Sequence, residues 1–158
     1  MILFGHIGIS TFLGSFLSLS LLFVLIGALL PDVIDKSLYL FGFINTGRFI
    51  GHTLFLGILV SLIVHLIFRK KIVSLSLLFG YWFHLLEDAT NFVPWFFPFV
   101  NYNFSAYTFG PLFTPFNIAS EIIGILMLIY IFRTNFQFRN IINNFKLIIN
   151  KKKNTRMI

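Results

Sequence analysis

From Met1 to Leu30 the chain carries no Asp, Glu, Lys or Arg, and no other feature limits its fold as much. The pattern recurs. Residues 49–68, 72–86 and 117–132 are further apolar runs, with Glu121 the one charged residue inside them. Charge gathers at the borders: Asp32, Asp35, Lys36 and Arg48 after the first run, Arg69-Lys70-Lys71 after the second, Glu87 and Asp88 after the third. A helix needs about 20 consecutive apolar residues to cross a hydrocarbon core of about 30 Å. With 158 residues, 58% hydrophobic and 11% charged, and a mean hydropathy of +0.91, the chain has too little polar surface for a water-soluble domain of its size. Lipid is the solvent that fits it. The expected fold is an all-α integral membrane protein. Residues 1–132 form a small bundle of about four transmembrane or re-entrant helices, and the basic tail 133–158 adds a C-terminal amphipathic interfacial helix.

That tail places Phe138, Ile141, Ile142, Phe145, Ile148 and Ile149 at helical spacing, with Arg139, Asn140, Asn143, Asn144 and Lys146 on the other face. The net charge of +7 is concentrated there. In this context the implied partners are membrane lipids, with anionic headgroups at the tail, and not nucleic acid. Arg69-Lys70-Lys71 and the tail both belong on the cytoplasmic side of the cell membrane by the positive-inside rule, giving a multi-pass topology with a cytoplasmic C-terminus. Residues 31–48 and 87–116 then lie on the opposite side. Pro94, Pro98, Pro111 and Pro115, with Trp and Tyr among them, make 91–116 an interfacial, partly re-entrant loop. A helix restarts near Asn117. No signal peptide is expected, because the first basic residue is Lys36 and no small-residue cleavage site precedes Pro31. Cysteine is absent, which excludes disulfides and thiolate metal sites.

Of the five carboxylates, four sit at ends of apolar runs on one predicted side. Asp32 and Asp35 are three apart, Arg48 and His52 four apart, His84 and Asp88 four apart, so on helical turns each pair shares a face. Three helix ends, each offering a pair, make the geometry of a metal site in a bundle. Imidazole with carboxylate suits a divalent transition metal, zinc first, with manganese or iron as alternatives, and not calcium. Each residue alone has a plainer reading. Pro31-Asp32 is a helix-stop signal, His52 can cap a helix, and His84–Asp88 can be a structural hydrogen bond, so the argument rests on co-location. His65, mid-run and angularly distant from His52, reads as a histidine bonded to a neighbouring helix. Glu121 reads as a favourable charge at a helix N-terminus, with a role beside the site as the alternative.

His6 poses a topological question. In one straight helix it would lie about 39 Å from Asp32, across the membrane. If the run folds back through Gly14-Ser15 and Ser18-Leu19-Ser20, both ends return to one side as a re-entrant hairpin. Gly and Ser permit that turn without demanding it.

Together these residues resemble the LexA-binding, inner-membrane-associated hydrolases, the YdjM-like membrane-bound metal-dependent hydrolases. Members show an early His, then L-P-D-x-D, H-R-G-x-T-H-S, G-x-x-x-H-x-x-x-D and a loop with Pro and Trp. Here the order is Gly5-His6, then Leu30-Pro31-Asp32-Val33-Ile34-Asp35. Gly47-Arg48-Phe49-Ile50-Gly51-His52-Thr53 and Gly80-Tyr81-Trp82-Phe83-His84-Leu85-Leu86-Glu87-Asp88 follow, then Pro94-Trp95-Phe96-Phe97-Pro98-Phe99. The resemblance covers roughly residues 5–100. It departs at Gly47, where the family has a first His, at Phe49 in place of Gly, and at the second Asp of the L-P-D motif, one residue late. It implies His6 as a ligand, and with it the hairpin. The family is distantly similar to zinc-dependent phospholipase C and P1-type nucleases, which suggests phosphate-ester substrates by analogy.

The expected function is a membrane-bound metal-dependent hydrolase acting on a phosphate-ester or lipid-linked substrate through an activated water. His6, Asp32, Asp35, His52, His84 and Asp88 are the expected metal residues, with Arg48 and Asp88 as catalytic residues, Arg48 neutralising an anionic substrate group. The alternatives are a transporter, or a non-catalytic membrane partner protein using the same cluster structurally. No H-E-x-x-H motif is present. Leu78 stands where phosphatidic-acid-type phosphatases carry an Arg.

Overall fold

The computed structural model describes residues 3–104 and 114–134. The described residues are helical and contain no strand. The elements are α1 (Phe4–Phe16), α2 (Leu21–Leu40), a single 3-10 turn (Ile50–His52), α3 (Leu54–Phe68), α4 (Lys71–Glu87) and α5 (Pro115–Thr134). The expected amphipathic helix of the tail lies outside the described residues.

The first apolar run is a hairpin. α1 stops at Leu17, Ser18 takes a left-handed conformation with φ 54°, and Leu19 N–H closes back on the Gly14 carbonyl. Ser20 N–H donates to Ser76 Oγ on α4 at 2.9 Å, and the Ser20 carbonyl accepts from Val24 at the start of α2. The serines thus supply the partners that a reversal among apolar helices requires.

α2 corrects one expectation. Pro31-Asp32 does not stop the helix, which runs on to Leu40 with Pro31 buried inside it. An internal proline loses one N–H bond and crowds the carbonyl four residues back. Here the packing of α2 along α4 compensates. Gly27 and Gly80 let those two backbones touch: a Cβ on Gly27 would sit 2.1 Å from the Leu77 carbonyl oxygen, and one on Gly80 2.1 Å from that of Val24. Small residues at a crossing are the usual means of close helix approach in lipid.

A second correction concerns Arg48 and His52. They do not share a helical face, because residues 43–49 form a loop and His52 closes the 3-10 turn. α3 starts only at Leu54, capped by Thr53 Oγ1, which accepts from Leu56 N–H at 3.1 Å. α3 ends where the basic triplet begins, with Arg69 left-handed at its C-cap. The 15 residues of α3 therefore separate the Arg69–Lys71 turn from His52.

Polarity is inverted relative to a soluble domain. His6, Ser10, Thr11, Asp35, His52, Thr53, His84 and Asp88 are buried, whereas Leu62, Leu66, Ile67, Ile122, Leu126 and Tyr130 face outward. Such a surface marks a face that contacts a membrane or another protein. Among the described residues α5 is the one helix both long and apolar enough to cross a membrane, and α3 is apolar but shorter. Four spans are thus not established by length alone. α1 lies between α4 and α5 and also packs on α2.

Candidate metal centre

Three imidazoles meet between α1, α2, α4 and the 3-10 turn. The ring of His6 stacks on that of His84 with centroids 4.0 Å apart, and the Nε2 atoms of His84 and His52 are 3.4 Å apart. Asp88, at the C-cap of α4, reaches all three. Its Oδ1 lies 3.5 Å from His6 Nε2, and its Oδ2 lies 3.7 Å from His52 Nε2 and 3.8 Å from His84 Nε2. Asp32, from α2, brings Oδ1 to 3.7 Å from His52 Nε2. Five of the six expected metal residues therefore converge. Two overlapping triads, His6–His84–Asp88 and Asp32–His52–His84, each bring their ligand atoms within 4.8 Å of one another.

The far side of every ring is engaged. His84 Nδ1 meets the Ala28 carbonyl at 2.7 Å, His52 Nδ1 meets Asp35 Oδ2 at 2.7 Å, and His6 Nδ1 meets Glu87 Oε2 at 2.6 Å. A carbonyl only accepts, so His84 carries its proton on Nδ1 and turns a lone pair inward. Asp35 also accepts the amides of Phe49 and Gly51, at 2.5 and 2.7 Å, and meets His52 Nδ1 as a third partner. His6 Nε2 is buried and makes no hydrogen bond. For His52 and His84, an inward nitrogen backed by an outer acceptor is the arrangement of metal-binding histidines. The donor set, imidazole nitrogen and carboxylate oxygen without thiolate, fits a divalent transition metal.

Asp35 does not join the convergence. It stands behind His52, fully buried, with both oxygens on N–H donors. The three-residue spacing of Asp32 and Asp35 does put both on one side of α2, but they grip His52 from opposite ring nitrogens. Arg48 Nη2 donates to Asp88 Oδ2, and the guanidinium remains about a quarter exposed (25%). Lys36 bonds Asp32 at 2.6 Å. Burial pushes the Asp88 carboxyl up, but the His52 ring and the Arg48 guanidinium outweigh it and hold the group well below the ordinary range. Burial lowers His52, yet its bonds to Asp35 and Asp88 carry it above the usual imidazole value.

Some partners had weak signals or none in the sequence. Glu87, which follows the third apolar run, turns to His6 on α1 and so stands at the edge of the site. The Ala28 carbonyl is backbone and has no signature. Tyr81, fully buried, donates its hydroxyl to the Gly51 carbonyl and so braces the turn that holds His52. Glu121 accepts from backbone N–H groups at a helix N-terminus, as expected, but the helix is α1 and not its own. His65 bonds Ser74 Oγ of α4 at 3.3 Å, a contact with a neighbouring helix remote from the cluster.

Four of the five ordered motifs thus supply the cluster, the Pro94–Phe99 loop adding no side chain to it, and Gly47, where the family pattern has a His, is not needed to bring those five side chains together. No curated protein and no solved structure matches the chain. The family model described as YdjM inner membrane protein matches residues 1–149, nearly the whole length, and with this match the chain belongs to the YdjM inner membrane protein family.

Proposed function

We propose that the protein is a multi-pass membrane hydrolase whose metal is held by His6, His52, His84, Asp32 and Asp88, zinc first among candidates. The observation that carries this reading is the meeting of three imidazole nitrogens whose opposite ring atoms are all engaged. Arg48 and Lys36 already balance the Asp88 and Asp32 carboxylates, so what a bound cation would add is a partner for the imidazole nitrogens that face one another. When bound, a divalent cation supplies a Lewis acid that makes hydroxide available near pH 7.

The chain's own groups do the rest. Asp35, Glu87 and the Ala28 carbonyl orient the three rings. Arg48, partly exposed beside Asp88, offers an anionic substrate a planar guanidinium. The substrate class is a phosphate ester or a lipid-linked phosphate. The apolar exterior supports lateral delivery from lipid, and the aromatic group Phe49, Phe97 and Phe104 next to Arg48 supports an apolar substrate portion. The Arg69–Lys71 turn and the tail are assigned to the cytoplasmic face, with the tail on anionic headgroups.

The test is metal content after purification in detergent. Wild-type protein retains a divalent transition metal in at least equimolar amount, and His84→Ala loses it. A protein that stays metal-free when offered zinc, manganese and iron, with His84→Ala indistinguishable from it, overturns the reading.

A further inference from the structure

α5 contributes no side chain to the imidazole cluster, and among the described elements it packs principally on α1. Its contact with α1 is unusually close. A Cβ on Gly8 would lie 2.1 Å from the Gly124 carbonyl oxygen, and a Cβ on Gly124 would lie 2.1 Å from the carbonyl oxygen of Phe4. Beside this crossing the Glu121 carboxylate accepts two backbone N–H groups of the first turn of α1: Phe4 at 2.8 Å on Oε2 and Gly5 at 3.0 Å on Oε1. The next residue in the chain is His6. Its ring leaves α1 on the α4 side, where it meets His84, Glu87 and Asp88.

We propose that Glu121 is a positioning residue for the metal centre, acting by clamping the first turn of α1 and so fixing where His6 presents Nε2. The physical basis is simple. The first amides of a helix have no partner within it, and in a lipid-surrounded bundle they find no water. A carboxylate there satisfies two of them at once and complements the positive end of the helix. Two bonds from one rigid group restrain both the height of α1 along α5 and its rotation about its own axis. His6 lies one residue beyond the clamp, so little of that restraint is lost before its ring. α1 is only 13 residues long, and its other end is the Leu17–Ser20 reversal. Its polar bonds to α4 are those of His6 and Ser10 to Glu87, and the Glu121 clamp adds a second restraint from α5. The consequence for metal binding rests on the reading given above. The placement of His6 does not.

The experiment therefore has two arms on detergent-solubilised full-length protein. In the metal-free arm, histidine-selective 15N labelling follows the imidazole signals of His6 and His52 in wild type and Glu121→Gln. Glutamine keeps the size but offers a single acceptor oxygen. The expected result is a changed His6 signal with an unchanged His52 signal, because His52 is held by α2 and the 3-10 turn. Both signals unchanged, or both changed alike, overturns the proposal. In the second arm, zinc affinity is measured by chelator competition for wild type, Glu121→Gln, His6→Ala and the double variant. Glu121→Gln weakens zinc about tenfold, the lower end of the loss of an outer partner, and adds nothing once His6 is Ala. An equal loss in both backgrounds overturns it, since that marks general destabilisation. If wild type binds no metal while the His6 signal still responds to Glu121→Gln, the metal reading falls and the clamp stands.

Discussion

The Nε2 atoms of His52 and His84 face each other 3.4 Å apart, with both Nδ1 atoms turned to outer partners, Asp35 for His52 and the Ala28 carbonyl for His84. Ligands about 2.1 Å from a tetrahedral zinc lie about 3.4 Å from one another. The separation therefore matches that of two ligands that could share one ion.

Asp35 should matter although it does not face the cluster. Asp35→Asn retains the shape but cannot accept from the Phe49 amide, the Gly51 amide and His52 together. A loss of about 10- to 100-fold in zinc affinity is expected. Stability should also fall by about 1–3 kcal/mol, since a buried donor is left unmatched. Chelator competition and thermal unfolding in detergent read the two effects separately, and an unchanged affinity would exclude a role for Asp35 in orienting His52.

The α2–α4 crossing carries a second expectation. In Gly80→Ala the added methyl meets the Val24 carbonyl, which belongs to backbone and cannot swing away. The helices must separate, and the Ala28–His84 bond lengthens with them. A cost of about 1–3 kcal/mol in unfolding free energy is expected, together with reduced metal retention. Leu78→Ala, at a half-buried neighbouring position on α4, should leave retention near the wild-type level. Equal retention in the two variants would contradict this account of how α2 orients His84.

Acid should strip the metal. Each imidazole ligates in its unprotonated form, so protons compete and occupancy is complete at high pH and lost as pH falls. An ordinary imidazole titrates near about 6.5, and His52 in the metal-free protein holds its proton above that value. The release window should therefore open above the ordinary imidazole range as pH falls, led by the His52 ring. Metal content across a pH series in detergent checks it, and a flat profile between pH 5 and 8 (roughly the range where only histidine among unperturbed side chains changes charge) counts against histidine ligation.

Arg48 separates binding from chemistry. Arg48→Gln should leave metal content near wild type, since the guanidinium contacts Asp88 but supplies no ligand atom. Hydrolysis of a phosphodiester probe should fall by about 100-fold, in line with loss of one charge-stabilising donor. Equal loss of metal and turnover would instead make Arg48 a structural partner of Asp88.

Much of the candidate site was legible because its chemistry is carried by rare residues. In a chain with few carboxylates and few histidines, Asp32, His52, His84 and Asp88 stand out at the borders of apolar runs. The hairpin was only half legible. Gly14, Ser15, Ser18 and Ser20 allow a reversal, but the contact that holds it, Ser20 N–H on Ser76 Oγ, joins residues far apart in the chain. Pro31 misled because proline propensity is local, while the continuity of α2 comes from packing on α4. Arg48 and His52 misled for a related reason. Their spacing suits a helix, but Thr53 is the cap and both residues precede it.

Composition and the spacing of apolar runs, taken alone, determined that this chain needs lipid around it, that its polar residues must be inside, and which few of them could bind a metal. These are properties of side-chain chemistry and survive any arrangement of helices. Only the tertiary structure decided which ring nitrogen faces inward, that Asp35 and Glu87 stand behind ligands, and that Glu121 belongs to α1. Those assignments depend on distances of a few tenths of an ångström between groups tens of residues apart, set by glycine contacts and by backbone carbonyls and amides that every sequence possesses and no sequence marks.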